Sequence, residues 1–161
     1  MLLQARRLAI PTILTRAIAP VTLLGAIFSM TSGVEARNCR PLEVVGGAGT
    51  VVEKKITPGG TLLTNDNWNT DFAVPSGTNF NLYTATITPK DNANYAIKLF
   101  LKYSNNTLDK FYDQTTPLKK GKPLVITGEP RARESPYQIN VLVGGLEAIG
   151  TEYLLTVSGC Y

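Results

Sequence analysis

The sequence predicts an all-β protein, a single antiparallel β-sandwich of the jelly-roll type with about seven or eight strands. Three observations carry this prediction. Several short segments alternate between apolar and polar residues, which is the period of a half-buried strand. Clusters of glycine, proline and asparagine separate these segments at short intervals. No segment has the apolar spacing of an amphipathic helix of useful length.

The strand candidates begin near residue 50. The clearest is YAIKLFLKY, in which Lys98 and Lys102 mark the wet face. The other face is lined by Tyr95, Ile97, Leu99, Leu101 and Tyr103. In FNLYTATIT the same alternation places Tyr83 on one face and Phe80 on the opposite one. Together the predicted strands cover residues 50–56, 80–88, 95–103, 122–127, 137–143 and 152–158.

The first 36 residues have the composition of a secretory signal peptide. Arg6 and Arg7 lie in a basic start, residues 17–30 are uncharged and mostly apolar, and small residues lead up to Ala36. The alternative is an uncleaved membrane anchor, but a spanning helix needs about 20 apolar residues and this stretch is shorter. We therefore predict cleavage near Ala36, a mature domain at residues 37–161 with no transmembrane span, and a secreted or periplasmic location.

Cysteine usage points to one disulfide. Cys39 and Cys160 are the only cysteines of the chain, and an even pair in an exported protein is typical of a disulfide. A bridge between them would close nearly the whole domain and stabilise it by roughly 5 kcal/mol on the chain-entropy model. It would also place the first and last strands side by side. The alternative is two free thiols.

Composition narrows the function classes. The chain contains no histidine, which removes the commonest general base and zinc ligand. Asp109 and Asp113 would lie about 13 Å apart on an extended segment, too far for paired acid–base chemistry. The formal charge of +4 is partly due to the signal segment, so charge gives no support to a nucleic-acid partner. The sequence predicts a protein that is not an enzyme and needs no cofactor, with calcium as the one candidate ion.

Part of the domain resembles the bacterial pre-peptidase C-terminal domain, a small jelly-roll sandwich found on secreted proteins. The residues that carry the resemblance are NDNWNTDFAV (65–74) with the following PSGT turn, the strand 80–87, SPYQINV (135–141) and TEYLLTV (151–157). The resemblance implies a sandwich fold and, in some members, bound calcium. This chain departs from the pattern because it has no adjoining peptidase and because its two cysteines are not typical of that family.

A run of oxygen-bearing side chains suggests where calcium would bind. Calcium takes about six to eight oxygen ligands, and alternate side chains of a curled loop can converge on one point. The candidate ligands are Asn65, Asp66, Asn67, Asn69 and Asp71. The alternative is an Asx-rich turn whose side chains bind local backbone groups.

Two further features are candidates for binding a polysaccharide, an envelope component or a protein. Trp68, the only tryptophan, could stack on a ligand, or it could plug one end of the sandwich. A basic cluster could meet an anionic surface if its two loops lie at the same end, or its residues could be solvated surface charge. The cluster comprises Lys119, Lys120, Lys122, Arg131 and Arg133. The leading hypothesis is a non-catalytic binding module; the alternatives are a structural subunit of an extracellular or envelope complex and, third, a hydrolase without histidine.

Overall fold

A computed structural model describes residues 38–58 and 68–161 of the chain. The predicted signal peptide therefore lies outside the described residues, as do Asn65, Asp66 and Asn67 of the predicted calcium site. Within the described ranges, no helix is long and apolar enough to span a membrane.

The described residues form two packed antiparallel sheets, which confirms the predicted all-β sandwich. There are more strands than the sequence predicts, and the additional ones are short edge strands and one long, irregular strand. The strands are β1 (Cys39–Pro41), β2 (Glu43–Val44), β3 (Val51–Lys55), β4 (Asn69–Ala73), β5 (Leu82–Pro89), β6 (Ala93–Lys102), β7 (Leu108–Leu118), β8 (Leu124–Gly128), β9 (Gln138–Gly144) and β10 (Glu152–Cys160). A short 3₁₀ turn, Leu146–Ala148, lies between β9 and β10.

Strand pairing defines the two layers. The first sheet has the order β1-β10-β5-β8, with β3 pairing with the other half of the β10 edge. The second sheet has the order β2-β4-β9-β6-β7. Cys39 lies directly opposite Cys160 in the β1–β10 pair, with an S–S distance of 2.04 Å and a Cα–Cα distance of 4.0 Å. The predicted disulfide and the predicted pairing of the first and last strands are therefore confirmed.

Alternation along the central strands builds the core. Tyr83 of β5 and Tyr95 of β6 are fully buried, while Lys98 and Lys102 lie on the wetter face of β6, as predicted. The prediction for Phe80 is wrong, because this side chain is only 3 % exposed. Strand β5 starts at Leu82, so strand alternation does not apply to Phe80, and its ring covers the backbone of Gly159.

The strand register gives the sandwich two ends. At one end, strands β4 and β6 begin and strands β7 and β9 end. We call it the Trp68 end, because the Trp68 carbonyl accepts a hydrogen bond from the Val143 N–H there. At the other, β6 and β8 end and β7 begins, and we call it the Arg131 end because the Arg131 N–H there donates to the Tyr103 hydroxyl. Strand β6 connects the two ends.

Candidate functional site

The two aspartates considered for catalysis are both neutralised by cations. Asp109 pairs with Arg131, and Asp113 pairs with Lys110 at 2.9 Å and Lys98 at 3.3 Å. Hydrogen bonds from Arg131 and from Lys110 hold the pKa of Asp109 and of Asp113 below the ordinary value of 3.8. Both carboxylates are thus held ionised, which is the opposite of what a general acid requires.

Of the predicted calcium ligands, Asn69 and Asp71 lie on β4. Asp71 Oδ1 accepts hydrogen bonds from Lys102 Nζ at 3.0 Å and from Asn140 Nδ2 at 2.7 Å. Lys54 Nζ donates to the Asn69 carbonyl at 2.7 Å. A calcium ion here would have to displace one ammonium group and approach another. Across the described ranges, no group of three or more His, Cys, Asp or Glu residues is arranged to hold a metal ion.

Trp68 lies half-buried at the end that carries its name. Its Nε1 donates to the Thr57 carbonyl at 3.0 Å, and its ring packs against the core and so closely over Gly144 that a Cβ on this glycine would collide with it. The indole thereby contacts both sheets, at Thr57 just after β3 in the first sheet and at Gly144 at the end of β9 in the second. The position is that of a plug between the sheets, and the polar atom of the ring is already bonded.

The structure separates the basic cluster into two groups. Lys119, Lys120 and Lys122 lie in the exposed turn before β8, at the Trp68 end, whereas Arg131 and Arg133 follow β8 at the Arg131 end. The two loops thus flank opposite ends of the same strand. They do not form one basic surface. The three lysines and Trp68 do, however, lie at the same end of the sandwich.

Arg131 is part of the framework of its loop. Its Nε and Nη2 donate to the two oxygens of Asp109 at 2.9 and 2.7 Å, and its Nη1 donates to Thr107 Oγ1 at 2.8 Å. The guanidinium carbon lies 4.2 Å from the centre of the Tyr103 ring, and the Arg131 N–H donates to the Tyr103 hydroxyl at 3.1 Å. We call this set of contacts the Arg131 clamp. It fixes the loop that follows β8 against β6 and β7.

Beside the clamp lies an open groove of about 480 Å³, which we call the Arg133 groove. One wall is residues 79–81 and the other is residues 129–135. The polar side chains that line it are those of Asn79, Asn81, Glu129, Arg131, Arg133, Glu134 and Ser135. Arg133 has a φ of 67°, a left-handed conformation that costs a non-glycine residue free energy, and among the described residues its side chain has no ion pair.

Sequence reasoning singled out Arg133 but missed Asn79 and Asn81. Asparagine in a turn before a strand is common in any protein, so their type carried no signal. Only the pairing of β5 with β8, which places residue 83 opposite residue 128, brings the two walls together.

Comparisons with known proteins give structural similarity alone. No protein-family model matches the chain, and no curated protein matches it. Among solved structures, the CBM22-1 xylan-binding domain of Paenibacillus barcinonensis Xyn10C is 10 % identical, with 76 % of this chain and 83 % of that one covered and a TM-score of 0.32. The N-terminal cellulose-binding domain of Cellulomonas fimi β-1,4-glucanase C is 17 % identical, with 71 % and 88 % covered and a TM-score of 0.30.

A third similar structure comprises the CBM22-1 and GH10 modules of Clostridium thermocellum xylanase 10B. It is 9 % identical, with a TM-score of 0.30, and the match covers 68 % of this chain but only 24 % of that one. Similarity at these TM-scores assigns neither a family nor a ligand to this chain.

Proposed function

We propose that this chain acts outside the cytoplasm as a non-catalytic module that binds a polysaccharide through the Arg133 groove. One observation carries the proposal: the Arg131 clamp holds a loop rigidly, and that loop presents the unpaired Arg133 side chain to an open groove from a strained backbone position. Strained residues persist where the surrounding structure enforces them, and they concentrate at functional sites.

The groove chemistry fits a polyhydroxylated chain. Each sugar hydroxyl both donates and accepts hydrogen bonds, and the Asn79 and Asn81 amides offer both functions. Arg131 and Arg133 add two cations, and Glu129 and Glu134 add two anions, so the charges of the groove balance and it does not select a strongly charged ligand. Because the walls of the groove are already fixed in the free protein, the protein loses little conformational entropy when a ligand binds.

Two further observations support the rest of the proposal. The described ranges contain no histidine, no free cysteine and no carboxylate pair with a raised pKa, which leaves no recognisable catalytic set. The Cys39–Cys160 disulfide suits an oxidising compartment, in agreement with the signal peptide that the sequence predicts.

Affinity electrophoresis in gels that contain individual soluble polysaccharides tests this function. We expect retardation by at least one polysaccharide, and about tenfold or greater weakening in the double variant Arg133→Ala/Asn81→Ala, which loses one charged and one neutral hydrogen-bonding group. Lys55→Ala, which removes an exposed cation on β3 outside the groove, is the matched control and should be retarded to the same extent as the unmodified protein. Unchanged retardation of the double variant would overturn the proposal.

A second candidate, a subunit of a larger assembly, is favoured by the outer face of the first sheet. Val51, Thr156, Thr86 and Val125 form one cross-strand row there, and the two valines are 55 % and 56 % exposed. This row has no charge, so it suits a neutral protein partner. Light scattering on the mature protein, together with Val125→Lys, tests this candidate: an oligomer that the variant dissociates supports it, and a monomer at all concentrations contradicts it.

A further inference from the structure

The Trp68 end carries an exposed cation cluster on a rigid turn. The Gly121 N–H donates to the Pro89 carbonyl at 2.8 Å, the Lys122 N–H to the Lys119 carbonyl at 2.9 Å and the Lys120 N–H to Asn92 Oδ1 at 2.7 Å. These bonds fix the backbone and leave the three ammonium groups in solvent. We call Lys119, Lys120 and Lys122 the lysine turn.

The lysine turn differs from four other lysines of the domain because no described carboxylate neutralises its charges. Lys90, Lys98, Lys102 and Lys110 each form an ion pair with a carboxylate. Within the described ranges, no carboxylate pairs with the lysine turn. The acids at this end bond to neutral groups and not to these lysines: Asp91 Oδ2 accepts the Glu152 N–H at 3.0 Å, and Glu147 Oε2 accepts from Asn94 Nδ2 at 2.6 Å.

A second, apolar tip lies at the same end. The 3₁₀ turn after β9 carries Leu146, which is 76 % exposed, and is followed by Ile149, which is 39 % exposed. Ala148 between them is fully buried and anchors the turn to the core. Glycines with positive φ on both sides, Gly145 and Gly150, give the backbone the tight bends that project the tip.

The lysine turn and the apolar tip are both hydrogen-bonded to residues at the start of β6. Asn92 holds the backbone of the lysine turn, and Asn94, two residues later, holds Glu147 of the apolar tip. The unpaired cations and the exposed aliphatic side chains therefore lie side by side on one end of the sandwich.

We infer that this end docks on an anionic lipid surface, with the lysine turn at the phosphate groups and Leu146 and Ile149 inserted among the lipids. Charge complementarity selects the occupant, because each lysine near an anionic bilayer strengthens binding about fivefold. The aliphatic tip selects a lipid rather than a soluble polyanion, because it gains only where apolar surface leaves water. The inference goes beyond the proposed function and uses the opposite end of the molecule.

Sedimentation of the mature protein with vesicles tests this inference. We expect binding to mixed phosphatidylglycerol/phosphatidylcholine vesicles and little binding to pure phosphatidylcholine. Lys119→Gln/Lys122→Gln should weaken binding roughly 30-fold, the equivalent of two lysine contributions, and Leu146→Ser should weaken it about tenfold. The charge-matched control Arg40→Gln/Lys110→Gln removes two exposed cations away from this end and should change binding by no more than about twofold.

Three outcomes would overturn the inference: equal binding to neutral vesicles, an equal loss in the control double variant, or an unchanged affinity of Leu146→Ser. Soluble polygalacturonate, tested in parallel, distinguishes an anionic polysaccharide from an anionic lipid surface as the ligand of the lysine turn. Binding to this polymer that depends on the lysines but not on Leu146 would assign the lysine turn to an anionic polysaccharide instead. None of these results depends on the Arg133 groove, so the two proposals fail independently.

Discussion

The Arg131 guanidinium donates to both carboxylate oxygens of Asp109, at 2.9 and 2.7 Å, while its central carbon lies 4.2 Å from the centre of the Tyr103 ring. A lysine cannot reproduce this two-point pairing. Because this contact joins the loop after β8 to the second sheet, it controls the shape of the neighbouring groove.

The first prediction concerns this clamp under acid. Asp109→Asn should lower Tm by a few degrees at neutral pH, because the carboxylate is lost. The pKa of Asp109 is lower in the folded protein than its ordinary value of 3.8, so its contribution to stability is complete above that pH and disappears as pH falls below it. The Tm difference between the two proteins should therefore vanish in strong acid. Glu43→Gln, an exposed carboxylate on β2, is the control, and a pH-independent difference would contradict the prediction.

The second prediction separates stability from binding at Arg133. Its φ of 67° is unfavourable for any side chain but costs glycine nothing. Arg133→Gly should therefore leave stability unchanged or raise it by up to about 1 kcal/mol, since relief of strain outweighs the added freedom of the unfolded chain. Polysaccharide binding should weaken in the same variant. Urea unfolding measures the first effect, and a clear destabilisation would show that the loop needs the arginine for folding.

The third prediction concerns the contact between Trp68 and Gly144. Gly144→Ala should displace the indole ring, because its new methyl group would overlap it, and should destabilise the protein by about 2–4 kcal/mol. Trp68 is the only tryptophan, so a red shift of its fluorescence reports the displacement directly. Gly47→Ala, whose Cβ would lie 3.2 Å from a valine methyl group at an exposed turn, is the matched control and should leave the emission unchanged.

The fourth prediction concerns alkaline stability. Burial raises the pKa of Tyr83 to about 12 from its ordinary 10.0, and no described residue accepts a hydrogen bond from its hydroxyl. Because the folded pKa is raised, the tyrosine favours the folded state fully below pH 10 and loses this contribution as pH rises towards 12. Tyr83→Phe should flatten the fall of Tm with pH in that window. Tyr137→Phe, at a 52 % exposed position, should not.

The fifth prediction concerns the disulfide, which joins residues 121 positions apart. The double variant Cys39→Ser/Cys160→Ser should lose about 2–5 kcal/mol of unfolding free energy, because the unfolded chain is no longer closed into a loop. Guanidinium titration with and without reductant measures the effect. The unmodified protein under reductant should approach the variant, and equal stability of all three samples would rule out a stabilising role for the bridge.

Strands packed on both sides by neighbours were predictable from sequence. Strand β6 is central in its sheet, so each inward residue is apolar and each outward one is half-exposed, and its period of two is unbroken. Strand β10 likewise lies between partners, and its alternation predicted it nearly in full. The cysteines predicted the pairing of β1 with β10, because a disulfide between Cys39 and Cys160 holds the two strands together regardless of their hydrophobic pattern.

Strand β7 was not predictable in the same way. It is the edge of its sheet, it faces solvent along most of its length, and its register shifts opposite Leu99 and Phe100, so Phe111 is an extra residue that turns towards Gly128. The shift breaks the period of two, because Phe111 and Tyr112 are consecutive and the residues around them are polar. The separation of Arg131 from the lysine turn depends on β8, which runs between them. The sequence predicted this strand at residues 122–127, so the separation could have been inferred from the sequence.

Strand β6 has ten residues and reaches from one end of the sandwich to the other, a length of roughly 30 Å at the usual rise per residue. The distance is comparable to the thickness of a bilayer's hydrocarbon core and does not change when either tip is occupied. A protein standing on its lysine turn would thus hold the Arg133 groove clear of the surface by about one molecular diameter. In this sense the longest central strand is a rigid spacer, and lengthening or shortening it would change the height at which a chain of sugars is held.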